Sequence, residues 1–158
     1  MTQPDTSHPL LLKAMACDLD TLLPLVRAYH SFEEVDLCES ARSAAISTLL
    51  AHPDYGAIYL ISVVGEVVGY IVLAFGFSLE FGGRDAFVDE FFIAPSARGK
   101  GLGSAVLAAL PGLAAELGLH ALHLEVAHHN TRAQQLYGKA GFLARARYML
   151  MSRAVPSA

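Results

Sequence analysis

The sequence predicts an α/β fold in which a mixed, mostly antiparallel sheet carries helices on both faces. In the first half, β-branched and aromatic runs are separated by Gly-containing turns, which is the pattern of antiparallel hairpins. In the second half, helical and strand-like segments alternate, which is typical of strands joined by helical connections. No repeat, linker or low-complexity tract interrupts the chain, so residues 1–158 are interpreted as a single domain, with residues 1–8 expected to be flexible.

The composition is that of an apolar globular protein. Hydrophobic residues make up 54% of the 158 residues and charged residues 16%. No stretch is long and apolar enough for a membrane-spanning helix, and the start MTQPDTSHPL lacks the features of a signal peptide, so a cytoplasmic protein without membrane contact is expected. The formal net charge of −4 argues against nucleic acid as a partner, because phosphate contacts need a concentrated basic surface.

Hydrophobic periodicity places the individual elements. Strands are predicted at residues 10–15, 57–64, 67–77, 85–93, 121–126 and from Phe142 onward. Helices are predicted at residues 19–29, 40–50, 101–117 and 131–140. Asp18 is expected to cap the first helix, and Pro24 predicts a kink or a later start in it.

The turn at residues 98–103 carries the strongest chemical signal. A strand ends at Ala94-Pro95, and Arg98-Gly99-Lys100-Gly101-Leu102-Gly103 then leads into a long apolar helix. Glycines leave backbone N–H groups open at a helix N-terminus, where the helix dipole favours a phosphate or pyrophosphate. Taken alone, the pattern serves a tight turn equally well. Its spacing matches neither the dinucleotide fingerprint nor the P-loop.

Two ordered motifs make the prediction more specific. The pattern Arg98-x-x-Gly101-x-Gly103 resembles the pyrophosphate loop of the GNAT superfamily of N-acetyltransferases. Downstream, Asn130-Thr-Arg-Ala133-Gln-Gln-Leu-Tyr137, followed by Gly141-Phe142, resembles the second signature of that superfamily. The segment Asp89-Glu90-Phe91-Phe92-Ile93 most resembles the polyamine (spermidine/spermine-type) branch. The resemblance implies a GNAT-like sheet splayed mid-way and an enzyme that uses acetyl-CoA as its cosubstrate.

The resemblance also implies where coenzyme A binds. Its pyrophosphate would be held by the loop and the helix start, at Arg98, Gly99, Lys100, Gly101, Leu102, Gly103 and Ser104. The pantetheine would enter between the strand of Phe92, Ile93 and Ala94 and the segment 125–127, with the thioester carbonyl oriented by an amide near Ile93. Asn130 and Ala133 are further expected coenzyme contacts, although helix capping explains Asn130 equally well.

Three residues are implied in catalysis. Tyr137 corresponds to the general acid of the family, which returns a proton to the departing thiolate; a phenol pKa of about 10 is close to the thiol value of about 8.5. Asp89 corresponds to the suggested base and Glu90 to a carboxylate that contacts the amine. Adjacent strand residues point to opposite faces, so one of the two is expected to face the site unless a bulge intervenes. The alternatives are a core tyrosine and ion pairs with Arg84 or Arg98.

The acceptor side is predicted from charge. Glu33, Glu34 and Asp36 lie where the family builds its acceptor pocket, and Glu80 near the second hairpin adds to them; a solvated loop explains these residues equally well. Four histidines, His120, His123, His128 and His129, straddle a strand and a loop, so no metal site is expected. Only sixteen residues follow Phe142, so the last sheet edge is expected to be a single strand or to be completed by the partner chain of a homodimer.

The leading hypothesis is direct transfer of acetyl from acetyl-CoA to a primary amine of a small, polyamine-like or otherwise cationic molecule. The alternatives are a non-catalytic acyl-CoA-binding regulatory domain, an acetyltransferase acting on protein lysines or aminoglycosides, and an unrelated nucleotide-binding α/β protein. The presence of Tyr137 together with both strand carboxylates argues against the non-catalytic alternative.

Overall fold

The computed structural model describes residues 9–157, which form a five-stranded sheet with helices on both faces. The strands are β1 (Leu10–Lys13), β2 (Gly56–Val63), β3 (Glu66–Ser78), β4 (Gly83–Ile93) and β5 (Ala121–His123). The helices are α1 (Leu19–Phe32), α2 (Glu39–Ala51), α3 (Leu102–Glu116) and α4 (Thr131–Lys139). The strands follow one another in chain order, and every pair is antiparallel except β4 with β5. The predicted mixed fold is confirmed, whereas the expected flexibility of residues 1–8 lies outside the described residues.

The sheet separates two hydrophobic layers. On one side, called here the α1/α2 face, Leu22 and Ile46 pack against Tyr70 of β3. On the other side, the α3/α4 face, Leu107 of α3 packs against Ile71, the next residue of β3. Alternating strand residues therefore serve opposite layers, as the period of two along a strand requires. None of the helices in residues 9–157 is long and apolar enough to cross a lipid bilayer.

Helix α1 begins at Leu19 and continues past Pro24 to Phe32. Proline removes one backbone donor and crowds the preceding turn, which is why a later start or a kink is expected from the sequence alone. Packing of Leu22 and Val26 into the core on either side of it offsets this cost. Asp18 takes the N-cap position, but its carboxylate accepts the amide of Met15 (2.7 Å) and no amide of α1.

A β-bulge in β4 changes the direction of its side chains. The register with β3 shifts by one residue, and Asp89 has no residue opposite it. Before the bulge Val88 packs into the α3/α4 layer, and after it Phe91 does so. Asp89 and Glu90 consequently both face the α1/α2 side, where they line the same cavity. This is the exception that the sequence analysis allows for: the bulge intervenes, and the extra residue resets the alternation.

Strands β4 and β5 separate towards one end of the sheet. They pair only from Asp85–Ala121 to Phe87–His123, so within the described chain the later part of β4 has no partner on this edge. β5 ends at His123, three residues earlier than predicted, because its neighbour turns away at the bulge. The predicted mid-way splay is confirmed.

Residues 142–157 form no strand, and the strand predicted from Phe142 onward is therefore wrong. Arg145 fixes the beginning of this segment through Glu80 (2.8 Å) and lies over the ring of Phe81. Farther along, Met149 and Met151 are 82% and 85% exposed. The segment has the apolar side chains of a strand, but a strand also needs a hydrogen-bonding edge beside it.

Gly69 marks a close approach between β3 and β4. A Cβ atom at this position would lie 2.1 Å from the carbonyl oxygen of Phe92 and 3.0 Å from the Cα of Ile93. Because these are backbone atoms, we expect Gly69→Ala to lower the free energy of unfolding by about 1–3 kcal/mol, as overpacking usually does. Urea denaturation measures the change.

Gly112→Ala is the matched control for this substitution. Gly112 lies inside α3, and an added Cβ would meet nothing within 4 Å. Alanine is the better helix former, so the control should raise the free energy of unfolding by about 0.5–1 kcal/mol. A Gly69→Ala protein as stable as this control would contradict the close approach.

Candidate active site

Six consecutive backbone amides are open at the N-terminus of α3. Within residues 9–157, the amides of Gly99 to Ser104 donate to no protein acceptor, and the first amide bonded back to this turn is that of Ala105, which donates to Gly101 (3.1 Å). Gly99 and Gly101 have φ values of 76° and 75°, a left-handed conformation that glycine adopts without strain. These donors, at the positive end of the helix dipole, fit an anion such as a pyrophosphate.

Packing around the loop differs between its glycines. A Cβ at Gly99 or Gly101 would meet nothing within 4 Å, so the space in front of the loop is open. A Cβ at Gly103 would lie 3.4 Å from Leu136 of α4 and 3.9 Å from Ile93 of β4. Gly103 therefore lets α3 approach α4 and the end of β4, which places the open amides beside the splay.

Arg98 turns back towards the protein. Its Nε donates to the carbonyl of Ile93 (2.8 Å), and its guanidinium lies 5.5 Å from the ring centre of Phe92. Its own amide donates to the carbonyl of Pro95 (3.2 Å). Arg98 thus braces the loop against β4, and the series of open amides begins one residue later. Lys100 is exposed on the loop.

The amide of Ile93 is directed into the gap between β4 and β5. The next amide, that of Ala94, donates to the carbonyl of Val68 on β3 (2.7 Å). Successive amides of a strand point to opposite edges, so the Ile93 amide faces the edge on which the described chain provides no strand partner. The gap therefore contains a donor where the sequence predicts the thioester carbonyl. Phe92 is buried in the α1/α2 layer.

Side chains fix the start of α4. The Oδ1 of Asn130 accepts the amide of Ala133 (3.1 Å), so both residues take part in the N-cap. The Nε2 of Gln134 donates to the carbonyls of Ala127 (3.0 Å) and His128 (2.8 Å). These bonds fix the first turn of α4 against the segment that follows β5, and so they position the later turns, which carry Tyr137.

Tyr137 lies on α4, half-buried, with its ring edge-on to Phe142 at 6.0 Å. Burial, and to a lesser extent the negative charge of Glu33, raise the pKa of Tyr137 above its ordinary value. The hydroxyl therefore keeps its proton at neutral pH and can act as an acid.

The two carboxylates of the bulge have different surroundings. Glu90 accepts the hydroxyl of Tyr70 (2.6 Å) and contacts the Nε2 of His30 (2.6 Å). Asp89 reaches the surface, and no donor within residues 9–157 is hydrogen-bonded to its carboxylate. Partial burial, together with the negative charge of Glu90, raises the pKa of Asp89.

A buried network that the sequence analysis missed holds Glu90. His30 and Arg42 are 7% and 8% exposed, and the Nε of Arg42 donates to the Nδ1 of His30 (3.1 Å). Arginine can only donate, so Nδ1 is the acceptor and Nε2 carries the proton that is donated to Glu90. Arg42 also donates to the carbonyl of Leu37 (2.8 Å). A signal existed in the sequence: His30 follows Val26 by four residues, on the buried stripe of α1.

The sequence does not single out Tyr29 as a residue of the site, because its spacing fits the hydrophobic pattern of α1. Its ring packs edge-on against Tyr70 (6.4 Å) and Phe92 (6.1 Å). Burial raises the pKa of Tyr29 most, and the charges of Glu33, Glu90, Tyr137 and Asp89 raise it further. The hydroxyl of Tyr29 therefore lies within electrostatic reach of both the carboxylates and Tyr137.

The four acidic residues predicted for the acceptor side occupy different places. Glu33, the C-cap of α1, is close enough to Tyr29 and Tyr137 to act on both hydroxyls. Exposed positions in the α1–α2 connection hold Glu34 and Asp36. Glu80 is paired with Arg145 at the β3–β4 turn, at the opposite end of β4 from the bulge.

His120 and His123 both lie near Phe81, whereas His128 and His129 are exposed between β5 and α4. His123 pairs with Asp85 (3.1 Å), with the rings of Phe81 and Phe87 beside it, and His120 contacts the carbonyl of Phe81 (3.3 Å). Over the described range 9–157, no three His, Cys, Asp or Glu side chains are grouped so that they could hold a metal ion.

Known proteins resemble this chain in sequence. It is 28% identical over 131 residues to YhfO, an uncharacterized N-acetyltransferase of Bacillus subtilis (strain 168), with 82% of this chain and 87% of that protein covered. It is also 28% identical over 143 residues to the thialysine N-epsilon-acetyltransferase of Bos taurus, with 84% and 82% covered.

Solved structures share the fold. An integron cassette protein from the mobile metagenome of Cole Harbour Salt Marsh superposes with a TM-score of 0.80 at 37% identity, covering 93% of this chain and 91% of that one. An aminoglycoside N-acetyltransferase in complex with CoA, AAC(6')-Iy, superposes with a TM-score of 0.76 at 17% identity, covering 98% and 100%, and shows the fold alone.

A family model accounts for most of the chain. Residues 19–142 match the model described as the acetyltransferase (GNAT) family, whose members use acetyl-CoA. The matched range includes both sequence motifs, the splay of the sheet and the open amides at the start of α3. The chain therefore belongs to the GNAT family and is an acetyltransferase.

Proposed function

We propose that this protein transfers acetyl from acetyl-CoA directly to a primary amine of a small cationic molecule. The proposal rests on three chemical functions carried by the start of α3, by α4 and by β4. These are the open amides of Gly99 to Ser104, the protonated hydroxyl of Tyr137 and the carboxylate of Asp89, which has no hydrogen-bond donor among residues 9–157.

The coenzyme side of the proposal follows from the donors. The open amides would hold the pyrophosphate, with the positive charge of Lys100 beside them. The pantetheine would lie along the end of β4, by Phe92, Ile93 and Ala94, where the Ile93 amide can polarise the thioester carbonyl. Arg98, Asn130 and Ala133 would shape this side of the site by bracing the loop and starting α4.

The reaction balances with the groups present. The ammonium of the acceptor gives a proton to Asp89, directly or through water, and the free nitrogen lone pair attacks the thioester carbonyl. The tetrahedral intermediate collapses, the C–S bond breaks, and the sulfur leaves as a thiolate that takes the proton of Tyr137. The nitrogen, now part of the amide, gives its second proton to the Tyr137 phenolate, and Asp89 releases the first proton to water. Glu90 keeps its bonds to His30 and Tyr70, and its fixed charge favours a cation at Asp89.

The class of acceptor is supported by charge and by one relative. Glu33, Asp89 and Glu90 all act on the hydroxyl of Tyr29, so the acceptor side is acidic. The relative named thialysine N-epsilon-acetyltransferase supports a terminal amine as the acceptor group. A polyamine-like molecule belongs to the same class of cationic amines.

A homodimer is also part of the proposal. Residues 142–157 present exposed apolar side chains, and β5 pairs on one edge alone within the described chain. Pairing between two copies would give this segment and this edge the hydrogen-bond partners they lack. Light scattering of the purified protein tests this.

Tyr137→Phe should lower kcat about 100-fold or more, because general acid catalysis typically contributes a factor of about 10²–10⁴. The loss should fall on kcat, since the half-buried ring stays in place. Release of free thiol from acetyl-CoA with a mixed amine library measures it. Tyr55→Phe, at an exposed position before β2, is the control. Unchanged turnover in Tyr137→Phe would refute the role of this hydroxyl but not the family.

Asp89→Asn should lower activity and raise stability together. The pKa of Asp89 is raised in the folded protein, so the ionised carboxylate destabilises the fold as pH rises through that pKa. Asp89→Asn should therefore melt at a higher temperature than the wild type at pH 7. Below about pH 4, the ordinary pKa of aspartate, the two proteins should melt at the same temperature. Calorimetry across pH measures this, with the exposed Asp54→Asn as control. A lower melting temperature at pH 7 would contradict the proposed environment.

Wild-type activity should fall as pH decreases through the raised pKa of Asp89, because the protonated carboxyl can no longer accept the proton of the amine. The pH profile of kcat/KM measures this limb. The residual kcat/KM of Asp89→Asn should not show this fall at low pH. A pH profile unchanged by the substitution would assign the base to another group.

Gly101→Ala should raise the KM for acetyl-CoA at least tenfold, because the added methyl group enters the open space in front of the amides. Gly118→Ala is a matched control, since Gly118 also has a left-handed φ (68°) and open space but lies at the far end of α3. Both substitutions carry a left-handed strain of about 1–2 kcal/mol. Equal KM values in the two variants would argue against the loop as the pyrophosphate site.

A further inference from the structure

A cavity lies beside Asp89 on the α1/α2 face, separate from the gap between β4 and β5. Its volume is about 110 Å³, and α1, α2, β2, β3 and β4 all contribute to its wall. Seven of its eleven lining residues are aliphatic, among them Ile46 and Leu49 of α2, Ile58 of β2 and Val72 of β3. The wall is thus apolar over most of its area and charged at the side of the bulge.

The charged groups in the wall differ in whether they are free to bind a ligand. Glu90, His30 and Arg42 are hydrogen-bonded to one another and to neighbouring groups of the protein. Asp89 also lines the cavity, and its carboxylate accepts no hydrogen bond from residues 9–157. An ammonium group placed at Asp89 would therefore meet an available negative charge at the edge of an apolar space.

The size and lining of the cavity favour an aliphatic occupant. A buried water needs two to four polar partners, and apolar cavities are the ones that bind apolar guests. At about 30 Å³ for a water-sized group, the volume accommodates roughly three to four methylene-sized groups. A second ammonium among the aliphatic residues of the wall would lose part of its hydration and would meet Glu90, a carboxylate that is already hydrogen-bonded to His30 and Tyr70.

We propose that this cavity binds the alkyl chain of the acceptor, and that the preferred acceptor is a primary monoamine with a short aliphatic chain of about four carbons. The inference rests on the proposed function and narrows it, because it separates apolar monoamines from diamines of the same length. In this arrangement the amine nitrogen lies at Asp89, which, like Tyr137, is close enough to Tyr29 to act on its hydroxyl. The alkyl chain points towards Ile46 and Ile58.

The test compares kcat/KM for unbranched amines from aminomethane to 1-aminooctane, with thiol release as the readout. Each added methylene should raise kcat/KM about fourfold until the cavity is full, which corresponds to about 0.8 kcal/mol per buried CH₂. 1-Aminopentane and 1,4-diaminobutane have equal length and differ in a terminal methyl or ammonium group. The monoamine should be preferred at least tenfold, and equal rates or a preference for the diamine would overturn the inference.

Two neighbouring alanines of α2 provide matched variants. Ala45 lines the cavity from an exposed position, so Ala45→Phe narrows it with little risk to folding, whereas Ala44 is exposed and outside it. Ala45→Phe should abolish the dependence on chain length, and Ala44→Phe should keep the wild-type dependence. The same dependence in both variants would overturn the cavity as the chain-binding site.

Calorimetry with 1-aminopentane separates this inference from the proposed function. Binding that is weakened by Ala45→Phe and not by Ala44→Phe would support the cavity even if no acetyl transfer to any amine were detected, and that absence would refute the proposed reaction alone. Transfer to amines without any dependence on chain length would leave the reaction standing and refute the cavity.

Discussion

The β-bulge at Asp89 is the constraint on which the geometry of the site depends. One extra residue in β4 lets two adjacent carboxylates share the α1/α2 face and turns the end of the strand away from β5. Without it, Glu90 would enter the apolar layer in which Val88 and Phe91 pack, where an unpaired carboxylate is costly. The acidic side of the site and the opening of the sheet therefore have one structural cause.

Helix α1 determines how the two carboxylates differ. It carries His30 to the bulge, and Arg42 from α2 fixes the tautomer of that histidine, so Glu90 is held by donors from two sides. Asp89, one residue earlier, receives no such donor within residues 9–157. Fully satisfied polar networks give buried groups a single arrangement, whereas an unsatisfied charge at a surface cavity is available to a ligand. The fold thus separates a structural carboxylate from a reactive one.

Backbone conformation governs the opposite side of the splay. The left-handed glycines expose amides, the start of α3 adds the positive end of its dipole, and Gly103 allows the helices to approach β4. Arg98, the most conspicuous charge of the loop, serves as a brace on Ile93. Anion recognition here relies on main-chain donors, so it requires small residues more than charged ones.

The mixed sheet, the helices, the loop at Gly99 to Gly103 and the position of Tyr137 on the helix of the second motif could all be predicted from the sequence, because they follow from local periodicity and turn chemistry. The remaining features depend on contacts between distant segments. Register between β3 and β4 created the bulge, which no local pattern at Asp89 indicates. Packing of α1 and α2 brought His30, Arg42 and Tyr29 near the carboxylates, although 60 positions separate His30 from Glu90 in the sequence. Residues 142–157 likewise form no strand although many of their side chains are apolar, because pairing, unlike propensity, is a property of two segments.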